Sequence, residues 1–249
     1  MCRMVIGIGN IDTKKLIDDF RYIAQGKNEL HEKNPYYGKL MHDHGWGLAY
    51  LNKKNKWVIY KSVNPIYEDK NLKEFTDIDT QALIIHARKA TAGNKTIPNT
   101  QPLFFKNQDQ EFLFAHNGTI NDQFDIKTKY LEYGDSDTVM WFNKILLDVN
   151  KENEVRIEKH LYSLKNFTSA NFFFVTPEKI FVGQYYRKDP KYHTMKLFKE
   201  NYGLIISSEI LPHLKSKNWS EIPNRSIFEI DYKKKRAMVK KRISQTSSV

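Results

Sequence analysis

The sequence predicts an α+β fold in which two β-sheets lie between outer helices. Three observations carry that prediction. Short apolar runs rich in β-branched and aromatic residues occupy both ends of the chain. A central stretch shows apolar residues at helical spacing. The order is therefore strands, then helices, then strands, which favours sheets packed together with helices outside.

Val5 to Ile8 reads as the first strand, and Leu16, Phe20, Ile23 and Ala24 recur at the spacing of one helix face. Gly47–Leu51 and Trp57–Tyr60 flank the polar run Asn52-Lys53-Lys54-Asn55, a β-hairpin pattern. Ala82–Ile85 and Phe112–Ala115 read as buried strands, the first running into His86-Ala87-Arg88 and the second into His116-Asn117-Gly118. A helix follows Ser136-Asp137-Thr138, with Val139, Phe142, Ile145 and Leu146 on one face and Ser136 or Asp135 placed to cap it. A second helix is expected from Arg156 to Leu164. Strand patterns return at Phe172–Val175, Ile180–Val182, Leu204–Ile206 and Ile227–Ile230. Gly and Pro are sparse and mark no linker, so residues 2–243 are expected to form a single domain, with 244–249 a small, polar, frayed tail.

Composition narrows the function. The chain has 249 residues, 40% hydrophobic and 28% charged, as in ordinary globular proteins. There is no apolar run long enough to span a membrane and no signal-peptide pattern, so a cytoplasmic protein is expected. One cysteine excludes an internal disulfide framework and a multi-cysteine zinc site, and no cofactor or metal motif is visible. The formal charge of +11 is scattered, apart from Lys233-Lys234-Lys235-Arg236 and Lys240-Lys241-Arg242. It reads as compositional bias, because no nucleic-acid-binding motif accompanies it.

The one cysteine, Cys2, directly follows Met1. Removal of Met1 would join a thiol and a free α-amine in one residue, a nucleophile beside its own base. An α-amine titrates near 7.7–8.0, about where a general base works best at neutral pH. Arg88, at a strand end, is suited to gripping a carboxylate with two parallel hydrogen bonds, or alternatively to a surface salt bridge. Thr91 and Gly93 follow in a turn. Asn117-Gly118 is either a hairpin turn or a pair of oxyanion donors, the Asn117 amide and the Gly118 N–H. His116 reads as a structural histidine. Asp135 and Asp137 compete for pairing with a substrate ammonium, helix capping being the other role for either. Trp46, between Gly45 and Gly47, reads as a mobile wall beside the thiol or as core packing.

In chain order, Met1-Cys2-Arg3, His44-Gly45-Trp46-Gly47, His86-Ala87-Arg88-Lys89-Ala90-Thr91, Asn99-Thr100-Gln101-Pro102, Phe114-Ala115-His116-Asn117-Gly118 and Asp135-Ser136-Asp137-Thr138 resemble the motifs of the class II glutamine amidotransferases, within the N-terminal-nucleophile (Ntn) hydrolase superfamily. The likeness is greatest to the small stand-alone members, without an attached synthase domain. It implies a four-layer αββα sandwich of two mainly antiparallel sheets. It implies hydrolysis of the side-chain amide of glutamine, or of a γ-glutamyl compound, through a γ-glutamyl thioester, with no cofactor. The ammonia would pass to water or to a separate synthase partner. By position, the resemblance makes Cys2 the nucleophile, Asn117 and Gly118 the oxyanion hole, Arg88 and Thr91 the carboxylate clamp and Asp137 the ammonium partner, with Gln101 and Trp46 also at the substrate. Two positions depart from the usual pattern: Lys89 stands where synthase-feeding members often have tryptophan, and Gln101 where histidine is commoner. These changes motivate the alternative of a binding or regulatory module on the same fold.

Overall fold

The computed structural model describes residues 2–28, 40–126, 129–131, 133–149, 156–200 and 203–233, and the backbone of 238–243. The basic run at 234–236 and the tail at 244–249 lie outside the described residues.

Two sheets form the centre. The first contains β1 (Arg3–Gly9), β2 (Trp46–Leu51), β3 (Trp57–Ser62), β4 (Ala82–Ala87), β9 (Lys196–Glu200), β10 (Gly203–Ser207) and β11 (Ser220–Glu221), in the order β11-β9-β10-β1-β4-β2-β3. The second contains β5 (Leu103–Asn107), β6 (Gln110–Ile120), β7 (Phe167–Val175), β8 (Ile180–Gln184), β12 (Ser226–Asp231) and β13 (Met238–Ile243), in the order β13-β12-β8-β7-β6-β5. Every neighbouring pair is antiparallel. The helices are α1 (Thr13–Ala24), α2 (Asp137–Val149), α3 (Ile157–Tyr162) and the short α4 (Pro190–His193).

Strand periodicity divides the apolar residues into three layers. Met4, Ile6 and Ile8 of β1 meet Leu113 and Ala115 of β6 and Phe173 and Val175 of β7 between the sheets. Val5, Leu83 and Ile85 face the other way, onto Leu16, Ile17, Phe20 and Ile23 of α1. Phe112, Phe114, Phe172 and Phe174 face outward from the second sheet, onto Val139, Trp141, Phe142 and Ile145 of α2 and Leu161 of α3. The result is helix, sheet, sheet, helix, the four layers that the resemblance implied.

Local chemistry explains the elements. Asp12 caps α1 by accepting the Lys15 N–H at 3.0 Å. Ser136 Oγ accepts from Val139 N–H at 3.3 Å at the start of α2. Asn52 Oδ1 closes the β2–β3 turn by accepting from the backbone of Lys54 and Lys56. One expectation is overturned. Asn117-Gly118 neither turns the chain nor ends the strand: β6 continues to Ile120, and Asn117 and Gly118 pair with Asn171 and Ala170 of β7. A long partner strand holds this dipeptide extended, overriding its turn preference.

Candidate active site

The residue alternation that builds the core also builds the site. Cys2 has the parity of Met4 and Ile6 on β1, and Asn117 has that of Leu113 and Ala115 on β6, so both belong to the space between the sheets. They meet there: the Cys2 backbone N–H donates to Asn117 Oδ1 at 2.9 Å. The start of β1 is pinned, since Met4 N–H donates to Ser208 Oγ at 3.0 Å and Ser208 N–H returns to the Met4 carbonyl at 2.9 Å. Arg3, fully buried, pairs with Glu209 at 3.2 Å and lies 3.8 Å over the Tyr192 ring, which offsets much of the cost of burying its charge.

The Asn117 amide is fixed at one end only. Its oxygen is bound by Cys2, while its Nδ2 is buried and has no partner among the described residues. An open buried donor is expensive to keep, and native structures rarely do so without a use. At Gly118, a Cβ would stand 1.7 Å from the Ser169 carbonyl, so β6 approaches β7 too closely for any side chain there.

The thiol is buried, 7% exposed, and burial pushes its pKa up, against the pull of the amino terminus, the Lys89 backbone contact and Arg88, with a smaller push from Asp137. Its Sγ lies 3.9 Å from the Lys89 carbonyl. Asp137 Oδ2 accepts from Ile120 N–H at 2.8 Å, and its Oδ1 accepts from Thr138 N–H at 2.8 Å. Asp135, the rival carboxylate, is spent on structure: it binds Asn94 N–H at 3.1 Å and also takes the Asn99 amide.

The Arg88 guanidinium donates to the carbonyls of Asn94 at 2.9 Å, Ala92 at 2.8 Å and Gly93 at 3.2 Å, holding its own following loop. Thr91 is exposed and shares a 2.7 Å hydroxyl contact with Thr119, a residue with no distinguishing sequence signal. Two other residues expected at the substrate are engaged within the protein. Trp46 is fully buried on the α1 side of its sheet, donates to Asp69 at 2.9 Å and packs on Tyr60 and Phe75. It is core, not a mobile wall beside the thiol. Gln101 accepts from His116 N–H at 2.6 Å and donates to Thr138 Oγ1 at 3.2 Å, which ties β6 to the start of α2.

His116 points towards α2. Its Nδ1 lies 3.0 Å from Thr138 Oγ1 and its Nε2 lies 3.2 Å from the Ser169 carbonyl. A carbonyl can only accept, so Nε2 carries the proton and Nδ1 accepts from Thr138. Burial holds the ring's pKa down, and the histidine is neutral and structural. Thr138 is thus a hub joining Gln101 and His116; its only sequence signal is its place beside Asp137. Asp43, Lys89 and His44 form a rim beside the thiol. Lys89 Nζ lies 3.2 Å from Asp43, and His44 Nδ1 accepts from Ala90 N–H at 2.9 Å.

Among the described residues, no group of three or more His, Cys, Asp or Glu side chains is placed to hold a metal. No helix among them is long and apolar enough to cross a membrane.

The chain itself matches a known family. The class-II glutamine amidotransferases match residues 34–170, more than half of the chain, and the chain belongs to that family. The matched span includes Arg88, Asn117, Gly118 and Asp137 and begins after Cys2. An uncharacterized protein of Methanocaldococcus jannaschii is 30% identical over 175 residues, 66% of this chain and 48% of that protein. An amidophosphoribosyltransferase of Lacticaseibacillus casei is 30% identical over 64 residues, 26% of this chain and 33% of its own length. The chain thus spans half or less of these curated relatives. Among solved structures, the glutamine phosphoribosylpyrophosphate amidotransferase of B. subtilis superposes with a TM-score of 0.65 at 16% identity, over 98% of this chain and 50% of that one. A glutamine aminotransferase class-II domain protein of Silicibacter pomeroyi gives 0.56 at 13% identity, over 98% of this chain and 100% of that one. At such identities the likeness shows the shared Ntn-type fold.

Proposed function

We propose that this protein hydrolyses the side-chain amide of glutamine, or of a γ-glutamyl compound, with Cys2 as the nucleophile. The observation that carries the reading is the pairing of the Cys2 nitrogen with Asn117 Oδ1, while Asn117 Nδ2 is buried without a partner among the described residues.

Loss of Met1 converts that nitrogen into an α-amine, still within reach of Asn117. As the sulfur attacks the amide carbon, the amine takes the thiol proton. The carbonyl oxygen gathers charge, and the open Asn117 Nδ2 and the Gly118 N–H stabilise it. The amine then passes its proton to the leaving nitrogen, which departs as ammonia and leaves a γ-glutamyl thioester. Water, deprotonated by the same amine, adds to the thioester; glutamate leaves and the thiol is restored. Asp137 is assigned the substrate ammonium, and Arg88 with Thr91 the carboxylate. The ammonia passes to water or to a separate synthase, and residues 2–243 act as one catalytic domain.

A second reading has its own observation. The Arg88 N–H groups that would grip a carboxylate are engaged by loop carbonyls, as in a binding module whose pocket has closed on itself. Glutamate release from glutamine and a panel of γ-glutamyl compounds separates the two. Turnover by the wild type and none by Cys2→Ala is expected, with intact mass showing Met1 removed. Equal rates in the two proteins would end the catalytic reading.

A further inference from the structure

The exposed edges of the two sheets, β3 and β5, come together around a cavity of about 250 Å3 whose lining includes Lys61, Leu103, Phe104, Tyr130, Leu131 and Tyr133. Lys61 is the one charged side chain among its described lining residues. It makes no hydrogen bond or ion pair among the described residues, and burial alone pushes its amine down to about 8. Edge-strand lysines commonly guard against pairing with another chain, pointing outward or inward. Lys61 is half-buried in a cavity that tyrosine and leucine also line, which gives it a place to meet a ligand as well. A cation drawn from water without a counter-charge is destabilising, and an anion brought beside it removes the deficit.

We propose that this cavity is a binding site for a small organic anion, a carboxylate carried on a compact aromatic or branched apolar body. The lysine would meet the carboxylate, and Phe104, Leu103 and Leu131 would cover the apolar part. The volume is slightly below the usual range of ligand pockets, roughly 300–1,000 Å3, which limits the occupant to a small acid. Nothing in this inference depends on Cys2 or on amide hydrolysis.

Phenylacetate and its neutral isostere phenylacetamide test it by calorimetry on the full chain. At pH 7 phenylacetate should bind at least tenfold more tightly than phenylacetamide. Its affinity should fall several-fold between pH 7 and pH 9, as the lysine amine loses its proton while the ligand stays ionised. Lys61→Met should weaken phenylacetate binding tenfold or more, and Lys61→Arg should largely keep it. Absence of phenylacetate binding at millimolar concentration, equal affinity for the two compounds, or affinity unchanged from pH 7 to 9 would each overturn the proposal. The wild-type arms decide the matter even if Lys61→Met fails to fold.

Discussion

At the scale of single residues, the amide of Asn117 explains why catalysis would be sensitive to one side chain. In the proposed mechanism its oxygen and nitrogen have separate duties: the first, which accepts from the Cys2 nitrogen, orients it, and the second, without a partner among the described residues, meets the developing oxyanion. Asn117→Ala should therefore reduce kcat for glutamine by about 10²–10³-fold, with KM changed far less, because the lost contact strengthens only as charge forms. A rise in KM with kcat preserved would assign Asn117 to substrate binding. The pH profile tests the base. With Met1 attached, burial holds the thiol above its ordinary value, whereas a free α-amine titrates at about 7.7–8.0. If the amine is the base, kcat/KM should rise with pH through that interval and then level. A limb centred above about 9 would assign proton transfer to the thiol itself.

At the scale of elements, the site depends on how loops are tied to strands. Asn99 is almost fully buried; its Oδ1 accepts from the N–H groups of Asp135 at 2.9 Å and Ser136 at 3.0 Å, while its Nδ2 donates to the Asn94 carbonyl at 2.9 Å. One side chain thereby joins the loop after Arg88 to the start of α2, where Asp137 lies. Asn99→Ala should lower unfolding stability by about 2 kcal/mol in urea titration, because it strands buried backbone donors. It should also lower turnover by displacing Asp137. A stability change below about 0.5 kcal/mol would show that the two segments hold without it. Legibility in the sequence follows the same division. Strands and helices whose apolar residues repeat at period two or 3.6, such as β1, β4, α1 and α2, are visible because local pattern and burial agree. Asn117-Gly118 misleads because turn preference is local, whereas β7, about 50 residues further on, decides the outcome. Trp46 was open between two roles because burial depends on Asp69, Tyr60 and Phe75 meeting it from separate segments. Gln101 could be seen as a hydrogen-bonding residue, but its partners His116 and Thr138 are brought to it only by the fold.

At the scale of the whole molecule, a buried histidine links the two sheets and a second lies buried in α4, and this ties folding to pH. His86 on β4 reaches across the core: its Nε2 lies 3.1 Å from the His116 carbonyl on β6, an acceptor, so the ring donates. Burial depresses its pKa to about 3, and likewise that of His193 in α4. Unfolding returns both rings to water, where histidine titrates at about 6.5. Between pH 6.5 and 3 the unfolded chain therefore holds protons that the folded chain rejects, and acidification favours unfolding. The contribution is full above pH 6.5 and is lost as pH falls towards 3. The slope approaches about 1.4 kcal/mol per pH unit for each histidine once the unfolded ring is charged. The urea midpoint should thus hold between pH 8 and 7 and fall clearly from 6.5 to 5. His86→Gln keeps a donor towards the His116 carbonyl without a titrating group, so its midpoint should fall less steeply over that interval even if it starts lower. If wild type and variant gave the same slope, or the wild-type midpoint stayed level down to pH 5, the link between the sheets would not be the group that senses acid.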